Sequence, residues 1–137
     1  MQVRDIMTTP VFAVGHADSL KVVEDLMDWK HVRHLPVVDA DNHVVGLITH
    51  RDLLRACVSS IAGLSQQEQD SLLQGIPVRE IMKTPVRTVQ PDSNARDAAR
   101  TMLDNKFGCL PVVDGNDKLV GILTEADFLR TLLEILQ

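Results

Sequence analysis

The sequence predicts an α+β fold in which two tandem β-α-β-β-α units pack about a pseudo-twofold axis. Three observations carry this reading. The first is a near-copy: Val3–Arg55 aligns on Val78–Arg130 at a constant offset of 75 without a gap, and about 20 of the 53 pairs are identical. Self-similarity at a fixed offset marks one supersecondary unit used twice. The second is that short β-branched runs alternate with segments of helical periodicity in the same order in both copies. The third is size. A unit of about 53 residues buries too little surface to stand comfortably alone, so each copy needs its sister.

Each element has a local reason. "PVFAV" and "PVRTV" are β-branched runs opened by proline, which suits the first residue of an edge strand. In "DSLKVVEDLMDWK", Asp18 and Ser19 are N-cap candidates, followed by Leu20, Val23, Leu26 and Met27 at helical spacing. The second copy offers Asp92 and Ser93, then Ala95, Ala98, Ala99 and Met102. "HLPVV" and "CLPVV" read as strands, "DADNH" and "DGNDK" as turns, and "VVGLIT" and "LVGILT" as third strands. Val44, Val45, Leu47 and Ile48 do not alternate with polar residues, so both faces of that strand should be covered. A final helix carries Leu53, Leu54, Cys57, Val58 and Ile61, matched by Phe128, Leu129, Leu132, Leu133 and Leu136. Between the copies, Ser65 and Glu68 form a capping-box signature opening a short helix that Gly75 and Pro77 close. The chain therefore divides into a first repeat (1–62), a helical connector (63–77) and a second repeat (78–137). A cleft between the two repeats is where a ligand is expected.

Composition narrows the function. At 137 residues, 45% hydrophobic and 24% charged, the chain reads as one soluble globular domain or two very small ones. No run approaches the roughly 18 apolar residues a membrane span needs, and "MQVRDIMTTP" has no apolar signal core, so the expected location is cytoplasmic, with no membrane partner. A net charge of −5, 3% aromatics and no tyrosine argue against a nucleic-acid partner. Cys57 and Cys109 form no CxxC pair and read as buried thiols. His31 and His34 lack the further ligands of a tetrahedral metal site. Met7 and Met82 are read as packing residues, and Trp29 as a packing or interface residue. No nucleophile elbow, Walker loop or HExxH motif is present, so no enzyme and no required cofactor are expected.

The "TP-V" opening, the "LPVVD" centre and the Gly-x-x-Thr-x-x-Asp ending occur in order, twice, at constant spacing. Together these resemble a tandem pair of CBS domains, the module named after cystathionine β-synthase, and the resemblance covers everything but the connector. It implies a regulatory module with two adenosine-type ligand sites, each taking Thr and Asp from one repeat and strand residues from the other. The Asp carboxylate would accept from the ribose hydroxyls and the Thr hydroxyl would reach the α-phosphate. Carried over by residue, one site has Thr124, Asp127 and Ile122, faced by Thr9, Val14, Val32 and His34. The other has Thr49, Asp52 and Leu47, faced by Thr84, Val89, Phe107 and Cys109. The residue types suit the role, since a carboxylate offers two acceptor oxygens to a vicinal diol and adenine needs a dry slot.

His50 and Arg51 are candidate phosphate contacts in the first repeat, where the second has Glu125 and Ala126. Arg4, Arg79 and Lys83 are weaker ones. The two sites are therefore expected to differ in affinity and in phosphate count. Thr-x-x-Asp before an apolar helix is equally a capping box, and a cap can coexist with a ligand contact. The expected ligand is an adenine nucleotide (AMP, ADP or ATP) acting as a regulatory ligand. S-adenosylmethionine or a dinucleotide such as NAD would fit the ribose-binding Asp equally well. The resemblance also implies a homodimer formed through helices. The effector is expected to be a separate protein, because the sequence shows no catalytic, transporter or DNA-binding segment, or else the module is a stand-alone nucleotide binder. The alternative is an assembly module whose clefts stay empty.

Overall fold

The structure, a computed structural model, describes residues 1–61 and 63–136, without the side chains of 58–61. It is α+β; the first repeat follows the expected β-α-β-β-α order, and the second follows it from its first helix onward. The first repeat has β1 (Val14–Gly15), α1 (Leu20–Lys30), β2 (His34–Val38), β3 (Val44–Thr49) and α2 (His50–Ile61). The connector holds α3 (Gln66–Gln74), and the second repeat has α4 (Ala95–Asn105), β4 (Cys109–Val113), β5 (Leu119–Thr124) and α5 (Glu125–Ile135). One turn of 3₁₀ helix opens each repeat, at Val3–Asp5 and Val78–Glu80.

The chain forms two compact units that cut across the sequence repeats. One comprises residues 12–41 and 45–86 and is called here the Asp52 unit. The other comprises 1–11, 42–44 and 87–137, the Asp127 unit. Each unit thus combines the body of one repeat with the "V-R-x-I-M" arm of the other. In the Asp127 unit, Val3 N–H donates to Ser93 O (2.9 Å) and Arg4 N–H to Pro91 O (2.8 Å). In the Asp52 unit, Val78 N–H donates to Asp18 O (2.7 Å) and Arg79 N–H to His16 O (3.0 Å). These are the same bonds at an offset of 75. Val3 and Val78 are the apolar plugs of the arms, and both are fully buried.

The core of the Asp52 unit joins Leu20, Val23 and Met27 of α1 to Leu35, Val37 and Ile48 of the sheet, with Leu73 of α3. Lys21 ties α1 to α3. Its ammonium meets Asp25 (3.0 Å), Glu24 (3.1 Å) and Asp70 (3.4 Å), and these carboxylates raise its pKa. The Asp127 unit packs Val3, Ala98, Met102, Leu110, Val112 and Leu123 together. In the sheet of the first repeat β2 lies between β1 and β3, with Val14 pairing in parallel with Val37. In the second, β4 and β5 are antiparallel, pairing Cys109 with Thr124 and Leu110 with Leu123.

Several expectations are refined. The first strands do not run from Pro10 or Pro85. Only Val14–Gly15 forms a strand, and Val89 makes a single parallel bridge to Val112. The backbone just before each proline pairs elsewhere: Thr8 exchanges bonds with Ile122, and Lys83 with Leu47. The cap of α4 is Asn94, one residue beyond the Asp92/Ser93 pair; its side chain accepts from Asp97 N–H at 3.0 Å. Ser93 Oγ accepts from Gln90 N–H instead. Ser19 caps α1, and the Ser65/Glu68 capping box is made in both directions. β3 is covered mainly at Gly46 and Ile48, with Val44, Val45 and Leu47 half-buried. Trp29 stands exposed, with Lys30 Nζ 3.9 Å above its ring. The side chains of Val58 and Ile61 lie outside the described residues.

Candidate ligand-binding site

Each Gly-x-x-Thr-x-x-Asp motif runs from the third strand into the first turn of the helix that follows it. Gly46 and Gly121 permit this by letting a methionine of the opposite repeat's arm come close. A Cβ on Gly121 would lie 2.9 Å from Met7 Sδ and 3.3 Å from the Thr8 carbonyl oxygen, and one on Gly46 would overlap the side chain of Met82. The glycine of the motif and the methionine of "DIM" or "EIM" are thus two halves of one contact. That contact brings the arm's threonines alongside the third strand.

In the Asp127 unit, the Asp127 carboxylate is 2% exposed and has four donors. Oδ2 accepts from Thr124 N–H (2.8 Å) and Thr124 Oγ1–H (3.2 Å). Oδ1 accepts from Thr8 Oγ1–H (2.6 Å) and from the guanidinium of Arg130. In the Asp52 unit, Asp52 is 6% exposed. Its Oδ2 accepts from Thr49 N–H and Thr49 Oγ1–H, both at 2.9 Å, and Asp52 N–H donates back to Thr49 Oγ1 (3.2 Å). Its Oδ1 faces Lys83 Nζ at 3.5 Å, an ion pair longer than a hydrogen bond of normal strength. Both motifs therefore make the capping box, which satisfies free N–H groups at the helix start.

The structure brings Thr9 into the same unit as Ile122, Thr124 and Asp127, and Thr84 into the same unit as Leu47, Thr49 and Asp52. In each case a threonine of one repeat joins the motif of the other. Val14, Val32 and His34 belong to the Asp52 unit, where Val14 is a core residue and the other two are half-buried. Val89, Phe107 and Cys109 belong to the Asp127 unit, with Cys109 buried and Val89 and Phe107 half-buried. Burial pushes the Cys109 thiol up to about 12. Cys57 is half-buried rather than buried, and its thiol is raised first by desolvation and then by the charge of Glu24. His50 is half-buried and Arg51 exposed, both in the first turn of α2.

Two participants escaped the sequence reading. Arg130 had a signal, because "Leu-Arg" closes both copies three residues after the Asp. Thr8 had none, since its equivalent is Lys83 and the pairing of arm with motif is visible only in three dimensions.

The chain is similar to known proteins over nearly its whole length. It is 34% identical over 98% of its length to a protein of Acidianus ambivalens, covering 74% of that relative. The structure of Arabidopsis thaliana CBSX2 in complex with AMP superposes with a TM-score of 0.82 at 33% identity, covering 99% of this chain and 98% of the other. The CBS domain pair of protein MJ0100, in complex with 5′-methylthioadenosine and S-adenosyl-L-methionine, matches with a TM-score of 0.80 at 26% identity, covering 96% of this chain and 95% of that one. The CBS domain family model matches residues 3–59 and again 78–134. The chain belongs to the CBS domain family and carries two CBS domains in tandem.

Proposed function

We propose that the chain is a regulatory ligand-sensing module that binds adenosine-containing nucleotides through its two Thr-x-x-Asp motifs, without catalysing a reaction on them. The observation that carries this is a pair of buried carboxylates, Asp52 and Asp127, each held by its own Thr at the mouth of a helix and each beside a segment of the other repeat. A carboxylate so placed accepts from the vicinal hydroxyls of a ribose. The positive end of the helix dipole favours the phosphate. The likeness to CBSX2, solved with AMP, and to MJ0100, solved with S-adenosyl-L-methionine, supports the adenosine class. Ile122, Leu47 and the remaining strand residues, Val14, Val32, His34, Val89, Phe107 and Cys109, line the base. His50, Arg51 and Lys83 give the Asp52 site more positive charge near the phosphate, so an adenine nucleotide is the ligand favoured there. Binding shifts the relative packing of segments by no more than the ligand's difference in affinity between the two states.

A thermal-shift titration of nucleotide-stripped protein tests this, with AMP, ADP, ATP, S-adenosylmethionine and NAD against wild type, Asp52→Ala and Asp127→Ala. A ligand present at 100 times its Kd raises stability by about 2.7 kcal/mol. The expected result is a shift from an adenine nucleotide that is lost in one of the Asp variants. No shift from any of the five contradicts the reading.

One observation favours a second role alongside it. On α5 only Asp127 is buried, while Leu129, Leu132, Leu133, Ile135 and Leu136 are exposed, Leu133 by 72%. A continuous apolar face of this kind marks an interaction site, and a second copy of this chain is the occupant proposed. Leu133→Glu should turn a dimer into a monomer in light scattering; a wild-type monomer overturns the assignment.

A further inference from the structure

We infer that Met7 and Met82 are oxidation sites: a peroxide converts the methionine wedge of each arm to its sulfoxide and so loosens that arm from the motif it serves. The structural part stands on geometry alone. The loss of nucleotide affinity that follows from it rests on the reading above.

The five methionines fall into three settings. Met1 is 67% exposed, Met27 and Met102 are only 4% and 5% exposed within the two cores, and Met7 and Met82 are half-buried at the edges of those cores. Oxidation follows exposure, so the core pair is shielded while the arm pair is within reach. What separates the arm pair from Met1 is the seat of the sulfur. Met7 Sδ lies 2.9 Å from the point where a Cβ on Gly121 would stand, and Met82 Sδ would overlap one on Gly46. The residue after each methionine exchanges two backbone bonds with the residue after that glycine: Thr8 with Ile122 at 2.8 and 3.2 Å, and Lys83 with Leu47 at 2.8 and 3.1 Å. Sulfur on glycine and a two-bond bridge together fasten each arm to a third strand.

The step balances with hydrogen peroxide as oxidant. A sulfur lone pair attacks one peroxide oxygen, the S–O bond forms as the O–O bond breaks, and the other oxygen leaves with both protons as water. Sulfur loses two electrons and peroxide gains them. The soft apolar thioether becomes a larger, polar and chiral group. With a glycine beneath it and a core beside it, the new oxygen either pushes the arm outward or turns the sulfur toward water. Both movements take the sulfur off the glycine and strain the bridge next to it. With the bridge go the threonines the arm carries: Thr8, which bonds Asp127, and its neighbour Thr9 in one unit, and Thr84 in the other. A methionine sulfoxide reductase, with a dithiol that ends as a disulfide, restores the thioether and releases water.

Hydrogen peroxide treatment of the nucleotide-stripped full chain, followed by peptide mass spectrometry, gives the order of attack. Met1, Met7 and Met82 should be oxidised while Met27 and Met102 are spared. Amide hydrogen exchange at Thr8, Ile122, Leu47 and Lys83 should then quicken by at least about fivefold, and reductase with dithiothreitol should reverse it. The AMP Kd should weaken by a similar factor in wild type. In a Met7→Leu, Met82→Leu double variant, a swap of nearly equal volume, peroxide should change neither exchange nor Kd; circular dichroism checks that this variant is folded. Oxidation of Met27 and Met102 as early as Met7 and Met82 overturns the assignment of the sites. Unchanged exchange at the four amides after Met7 and Met82 are oxidised overturns the loosening, and so does an equal response in the double variant. If AMP does not bind the untreated chain, the nucleotide reading fails and the exchange result alone upholds or overturns the switch.

Discussion

The surroundings of Asp52 and Asp127 are built from one sentence written twice, yet they are not chemically equal. The capping box, the covering methionine and the arm-to-strand backbone bonds repeat in both. What differs lies where the repeats diverged: Lys83 against Thr8, the His50–Arg51 pair against Glu125–Ala126, and His34 against Cys109. The lesson is that backbone symmetry fixes where each carboxylate stands, while a few side chains decide what charge and which hydroxyls surround it.

The largest way to break the comparison is at the carboxylates themselves. Asp127→Ala removes the acceptor for four donors and should cost about 2–3 kcal/mol of stability. Asp52→Ala removes the cap of α2 and the ion pair with Lys83 and should cost about 1–2 kcal/mol. Urea denaturation of both variants measures the losses, and an Asp127→Ala loss no larger than that of a helix cap would show that Thr8 and Arg130 add nothing. Next in size is alkaline pH. The Cys109 thiol is held up to about 12 by burial, against 9.0 when unfolded. The folded state then keeps its proton while the unfolded state loses it. The contribution is complete below pH 9 and lost as pH rises toward 12, at about 1.4 kcal/mol per unit. Cys109→Ala should flatten that slope in denaturation curves at pH 8.5–10.5, and iodoacetamide should alkylate Cys57 before Cys109 in the native protein.

A smaller effect sharpens the shared part of the two sites. Gly46→Ala pushes a methyl into Met82 and Gly121→Ala pushes one into Met7 and the Thr8 carbonyl, each at about 1–2 kcal/mol. Adding Met82→Ala should relieve the first of these, so a double-mutant cycle by thermal denaturation should show coupling, and strict additivity would deny the contact. Smallest is Lys83→Met. An exposed ammonium at 3.5 Å contributes less than about 1 kcal/mol to folding. Its removal should instead weaken nucleotides more as their phosphate number rises, measured as Kd for AMP, ADP and ATP.

Much of the fold was legible because the repeat reports each element twice. Where one copy is ambiguous the other settles it: Asn94, which caps α4, stands at the position of Ser19, which caps α1, and Asn caps as readily as the neighbouring Ser93. The first strands misled because β-branched residues after a proline look extended whether or not they find a partner, and only Val14–Gly15 finds one of more than a single bridge. The candidate site was half legible. Thr and Asp announce themselves by spacing, and the arms announce themselves as copies. That each arm serves the opposite body is a tertiary fact with no local trace, since Thr8 lies 119 residues from the carboxylate it binds. The final helix carries more apolar residues than its own core takes up: Leu129, Leu132 and Leu133 are left outside.

The most direct measurement is a crystal structure of the chain grown with one equivalent of AMP. The account predicts a nucleotide whose ribose hydroxyls bond the carboxylate of Asp52 or Asp127. No nucleotide at either carboxylate would contradict it.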